Sequence, residues 1–145
     1  VVVADGLSSI AAETSAVALV ISLRERLQDW TLDDVIVATQ ARVALGDPIG
    51  ELRGAEAVLM LIGERPGLSS PDSLGAYLTY QPRIGRTDAE RNCVSNIRPG
   101  GLSPEDAAQR LVNLLQGARA LGVSGVALKD TSDDTASATQ RLPSP

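Results

Sequence analysis

Apolar positions along the chain follow two rhythms, which divide it into strands and helices. Short unbroken apolar runs occur in "VVVADG" from Val1, at Val35-Ile36-Val37, and in "AVLMLIG" from Ala57. Runs this short, bounded by turn residues, predict buried strands. Asp5-Gly6 closes the first and Gly63 the third. "SLGAYLTYQP" alternates instead and predicts a strand from about Leu74 to Tyr80. The helical rhythm occurs twice. Ala16, Leu19, Val20, Leu23 and Leu27 form a stripe behind Ser8 or Ser9 as cap, with Glu13 early enough to favour the helix dipole. "LSPEDAAQRLVNLLQGARALG" is the stronger helix. Ser103 caps it, Pro104 takes the first helical position, Glu105 and Asp106 suit the dipole, and Gly122 ends it. Its core face is Ala107, Ala108, Leu111, Leu114, Leu115 and Ala118.

The stretches between these elements carry weaker signals. "GDPIGELRGAE" predicts one helical turn between glycines. Residues 42–45 either continue the second strand or return beside it. "TDAERNCVSNI" predicts a short helix capped by Thr87 or Asp88, with Glu90 at capping-box spacing from Thr87. "GVALK" predicts a last short strand, and residues 131–145, polar and without period, a disordered tail. Strands alternating with helices imply an α/β fold, helices flanking a mostly parallel sheet, over residues 1–130. Ligands of such sheets sit beyond the carboxyl ends of the strands. Asp5, Val43 with its neighbours, and the 63–67 loop fall there.

Composition changes the picture mainly by exclusion. With 145 residues and 43% apolar content, the chain is one domain with a sizeable core. Phe is absent, so the core is built from Val, Leu, Ile and Ala. A net charge of −5 and few aromatics argue against nucleic acid as a partner. No apolar run approaches the roughly 20 residues that span a bilayer. The chain opens inside a strand and without Met, as the remainder of a longer chain whose N-terminal part is absent would. There is no His, which excludes triads with an imidazole base in this chain, and one Cys without His excludes the usual zinc site. Cys93 has no cysteine to pair with, which suits a reducing compartment. Lys129 is the one lysine and no two glycines are two apart, so neither common phosphate-binding glycine motif is present.

The candidate chemistry gathers at Gly63-Glu64-Arg65-Pro66-Gly67. Its glycines let a ligand approach the backbone, Glu64 can accept hydrogen bonds, and Arg65 can donate them. A tight turn with an exposed ion pair explains the same residues equally well. Arg83, Arg86, Arg91 and Arg98, with Arg65 as a potential neighbour, read mostly as a solvated face. Cys93 reads by default as a small buried hydrophobe, and otherwise as a thiolate or a ligand contact. Asp133-Asp134 lacks the spacing of a calcium loop and reads as solvated tail.

Four segments carry a family likeness: "ARVALGDPIGEL", "LIGERPGLSSPDSLGAYLTY", "DAERNCVSNIRPGGLS" and "LGVSGVALKD". Together with the opening "VADGLS", they resemble the light chain (small subunit) of ethanolamine ammonia-lyase over nearly all of residues 1–130. Ala41 stands where the family pattern has Gly. The resemblance implies a Rossmann-like domain and an adenosylcobalamin-dependent lyase that converts ethanolamine to acetaldehyde and ammonia. It implies cobalamin held between this chain and a large TIM-barrel subunit, in a higher hetero-oligomer that is inactive without that subunit. Val43, Glu64 and Cys93 carry over as cobalamin contacts, with no catalytic residue and no metal ligand in this chain. Cobalamin would keep its own dimethylbenzimidazole on cobalt, the base-on form. The family's extra N-terminal helical segment, linked to microcompartment targeting, is missing here, and the implied location is the cytoplasm or such a compartment. Two other readings stay open: a non-catalytic module binding a corrinoid or nucleotide, and a purely structural subunit.

Overall fold

A computed structural model of the chain describes residues 1–64 and 71–128. Among them, five strands form one mixed sheet: β1 (Val2–Ala4), β2 (Ile36–Ala38), β3 (Ala57–Gly63), β4 (Leu74–Tyr80) and β5 (Arg91–Ile97), in the order β2-β1-β3-β4-β5. Three α-helices flank it: α1 (Ser9–Arg26), α2 (Gly46–Leu52) and α3 (Pro104–Leu121). Ser8 caps α1, its Oγ accepting from the Ala11 amide. Ser103 caps α3, and Gly122 ends it in the left-handed conformation at φ 77°. Lys129, the end of the expected strand "GVALK", and the expected tail lie outside the described residues.

The α/β architecture matches expectation, but the mostly parallel sheet does not. β1 runs parallel to β2 and β3 over short ladders. β3 and β4 pair antiparallel along their whole length, from Ala57↔Tyr80 to Gly63↔Leu74, and β4 pairs antiparallel with β5. The reason is connection length. A parallel return needs a crossover of about a dozen residues or more, usually a helix. The 64–73 link is too short to hold one, and the 81–90 link contains a single 3₁₀ turn, Asp88–Glu90.

Four local expectations also change. The helix expected over "TDAERNCVSNI" is that one turn, with the Thr87–Glu90 capping box formed, followed at once by β5. Pairing with β4 and burial of Val94 and Ile97 outweigh the helical signal. Residues 43–45 form a 3₁₀ turn leading into α2 rather than a strand. β2 is an edge strand, not a buried one, with Val37 76% exposed. The segment from Gly125 to Leu128 is a turn, held by the Asn92 side chain, which donates to the carbonyls of Gly125 and Leu128 and accepts from the Gly125 amide.

The two faces of the sheet are covered differently. On one, α1 and α3 pack Leu19, Leu23, Leu111 and Leu115 against Leu59, Leu61, Leu74, Leu78 and Ile97. On the other, Val2, Ala4, Val58, Met60 and Ile62 meet Val43 and Ile49 from the 3₁₀ turn and α2. Gly46 permits that close seat: a Cβ there would lie 2.8 Å from Met60 Cγ.

Candidate functional site

The second face is the one to follow, because α2 covers only part of it. Strand alternation puts Met60 and Ile62 of β3, Gly75, Tyr77 and Thr79 of β4, and Arg91 and Cys93 of β5 on this side. Tyr77 sits in register between Met60 and Cys93. It is half-buried, and Cys93 beside it is exposed. Past the edge of α2 the face is open at Tyr77 and Cys93, while Gly75, Thr79 and the Arg91 side chain stay buried.

Its upper rim is the carboxyl end of β1 and β3. The Asp5 carboxylate accepts from the amides of Gln40 at 3.0 Å and Ala41 at 3.4 Å, which anchors the chain entering the 3₁₀ turn. The Gln40 amide, before other contacts, holds the Asp5 carboxyl below its ordinary range. Gly63 ends β3 where any Cβ would collide with the Ser8 carbonyl oxygen, and its own carbonyl accepts from the Leu7 amide at 3.0 Å. Glu64 follows. Its Oε2 accepts from Ser73 Oγ at 2.6 Å and from the Asn96 amide at 3.4 Å. Asn96 has a left-handed backbone, φ 59°, where the β4–β5 register shifts opposite Gly75. Such bulges re-aim groups at the margins of binding surfaces.

The lower side is fixed by a buried ion pair. Arg91 donates to both Asp47 oxygens, at 2.6 and 2.7 Å, and to Thr79 Oγ1 at 2.9 Å. The two side chains are 4% and 5% exposed, so this pair bolts α2 onto β5. Hydrogen bonding to Asp47 holds the Arg91 guanidinium still more firmly protonated. Of the arginines expected on a solvated face, Arg91 is thus buried, while Arg86 pairs with Glu90 and Arg98 with Asp72.

Val43, Glu64 and Cys93, distant in sequence, come together on this one face. Val43 and Tyr77 pack on the same apolar cluster. Burial and Cys93 raise the Tyr77 phenol to about 12, with a smaller contribution from Glu64. Burial of the thiol end raises Cys93 in turn, offset in part by the neighbouring Tyr77 phenol. Cys93 is thus an exposed residue with a neutral thiol, not the buried hydrophobe expected. Arg65, Pro66 and Gly67 lie outside the described residues. Sequence reasoning did not single out Tyr77, Gly75 or the Asp47–Arg91 pair. Alternation in "SLGAYLTY" was the available signal, but reading β5 as a helix removed the strand that completes the face.

A separate cavity of about 400 Å³ opens at the opposite, amino ends of the strands, beside Val1, Trp30, Glu56 and Arg119. Arg119 donates to both Glu56 oxygens at 2.8 and 2.7 Å and stacks 3.6 Å over the Trp30 ring. Its charges satisfy one another, and none of the residues that carry the family likeness as contacts lines it.

Residues 1–129 match the family model described as ethanolamine ammonia-lyase light chain. The chain belongs to the ethanolamine ammonia-lyase light chain family. It is similar to proteins named ethanolamine ammonia-lyase small subunit from several bacteria. The relative from Bradyrhizobium diazoefficiens is 57% identical over 139 residues, covering 94% of this chain and 53% of the relative. That from Pseudomonas syringae pv. tomato is 51% identical over 150 residues, covering 97% and 52%. That from Azotobacter vinelandii is 53% identical over 135 residues, covering 92% and 50%. The chain thus spans about half the length of the curated relatives it matches. As a light-chain family member, it presents an open face with an apolar floor and hydrogen-bonding groups at its edges.

Proposed function

We propose that this chain forms one wall of an adenosylcobalamin site in an ethanolamine ammonia-lyase, facing a large TIM-barrel subunit that holds ethanolamine. Residues 1–130 act as the cofactor-binding domain in this reading, Rossmann-like in its layered arrangement. The observation that carries it is convergence: Val43, Glu64 and Cys93 come from three distant segments and meet on one open face.

That face fits a wide apolar ring fringed by amides. Val43 and Tyr77, both half-buried, offer apolar contact. Glu64 offers carboxylate oxygens to an amide N–H. Gly75 lets the Glu64 carboxylate lie close over the strand beside the Tyr77 ring, since a Cβ there would fall 2.7 Å from Glu64 Oε1. When bound, cobalamin supplies the weak cobalt–carbon bond whose cleavage starts radical chemistry. This chain's residues hold and shield the lower side of the ring, and Cys93, neutral, packs against it rather than ligating cobalt. With no His to offer, the chain suits cobalamin that keeps its own benzimidazole. A location in the cytoplasm or a microcompartment rests on the family likeness.

The test is co-expression with the large subunit, then an ethanolamine deamination assay with adenosylcobalamin. The complex should turn over and the separate chain should not. Turnover by the chain without its partner, or none by a well-assembled complex, contradicts the reading.

A further inference from the structure

We propose that Tyr77, packed beside Glu64 over the backbone of Gly75, is the floor contact of the cobalamin site, its ring under the macrocycle and its hydroxyl donating to a peripheral amide oxygen. This rests on the cobalamin reading above and adds a residue to Val43, Glu64 and Cys93.

Position comes first. Tyr77 lies on β4 with Met60 opposite on one side and Cys93 on the other. Directly opposed residues bring their Cβ atoms to about 5 Å. Tyr77 therefore stands between the wall carrying Val43 and the strand carrying Cys93, with Glu64 at its rim.

The two tyrosines of the chain then differ in a telling way. Tyr80 points to the opposite face, is buried, and bonds its hydroxyl to Glu56 at 3.1 Å. Tyr77 is half-open, and the neighbour it faces across the ladder is the Cys93 thiol, a weak hydrogen-bonding partner. A phenol has one donor and two acceptor sites, so this contact leaves most of its capacity unused. A residue needed only to fill the apolar cluster with Met60 would not require a hydroxyl.

Gly75 supplies the second observation. Its backbone is not left-handed, so conformation does not demand glycine there. A Cβ would lie 2.7 Å from Glu64 Oε1 and 3.1 Å from Tyr77 Cε2, so a side chain here would displace the Glu64 carboxylate. The missing side chain lets the Glu64 carboxylate and the Tyr77 ring edge sit side by side over the buried Gly75 backbone, forming a patch of aromatic edge and acceptor.

The experiment is equilibrium binding of adenosylcobalamin to the complex of this chain with the large subunit, read by corrin absorbance and circular dichroism. Wild type, Tyr77→Leu, Tyr77→Phe and Gly75→Ala are compared, each with a thermal melt of the cofactor-free complex. Tyr77→Leu and Gly75→Ala should weaken binding roughly tenfold or more, because ring contact or Glu64 placement is lost. Tyr77→Phe, which keeps the packing, should weaken it about two- to tenfold and alter the bound corrin's dichroism. If a lowered melt compromises Tyr77→Leu, Tyr77→Phe decides. Affinities within twofold of wild type for Tyr77→Phe and Gly75→Ala, with unchanged dichroism, overturn the assignment while the cobalamin reading stands. Failure of the wild-type complex to take up cobalamin overturns both.

Discussion

The two faces of this sheet solve the same burial problem with different means. The face under α1 and α3 is sealed by many interchangeable apolar contacts, with Leu19, Leu23, Leu61, Leu74, Leu78 and Leu111 all essentially inaccessible. The other is half-sealed by a seven-residue helix, and that helix is held by one buried ion pair, Asp47–Arg91. Apolar packing is non-directional and tolerant; a buried bidentate pair fixes one geometry. The first face stabilises the domain, and the second trades stability for a surface of defined shape.

The sharpest way to break this contrast is Arg91→Met. It strands a buried Asp47 carboxylate, and losing one partner of such a pair costs about 3–5 kcal/mol. Urea unfolding of the wild type and variant should show this, with loss of α2 before the rest. A loss under 1 kcal/mol would mean that the pair is not what holds α2. Next in size is Leu61→Ala on the sealed face. Removing a fully buried Leu costs about 2–5 kcal/mol, and cofactor affinity measured well below the melt should stay unchanged. A matching drop in affinity would show that the faces are not independent.

Glu64→Ala should do the reverse. The carboxylate is at the rim, bonded to Ser73 and Asn96 outside the main core. Losing a charged hydrogen bond to the cofactor should cost roughly 1.5–3 kcal/mol of binding, with little change in melting temperature. A collapsed melt with intact binding would make Glu64 structural. The smallest effect is on pH dependence. The fold favours the protonated forms of Cys93 and Tyr77, raising both values. Their contribution is complete below the unfolded-state values and is lost as pH rises through the folded ones, for Tyr77 between about 10 and about 12. Alkaline unfolding curves of the wild type and Tyr77→Phe should diverge only in that window. Parallel curves throughout would show that Tyr77 does not feel its neighbours.

The two faces were also unequally legible in the sequence. Helical periodicity at Leu19, Leu23, Leu111 and Leu115 announced the sealed face, since burial repeats with the helix turn. The Ser8 and Ser103 caps and the Gly122 stop are local chemistry and were readable as such. The open face depends on pairing between distant segments, which periodicity does not report. A capping box at Thr87–Glu90 is real, yet it starts one turn and then a strand. Missing β5 hid the neighbour that Tyr77 and Cys93 share. Strand ends placed Val43 and Glu64 near one crevice, but family likeness alone joined them to Cys93. Connection length could have corrected the sheet: neither the 64–73 nor the 81–90 link can carry a crossover helix.

The proposed site sets cobalamin against the open face over β4 and β5. Cys93 reports on it directly, being exposed there and the chain's one cysteine. The measurement is the alkylation rate of Cys93 in the complex with the large subunit, followed by peptide mass spectrometry with and without adenosylcobalamin. Alkylation should be slow at neutral pH and slowed many-fold further by cofactor. Equal rates with cobalamin demonstrably bound would place the cofactor elsewhere and contradict the account.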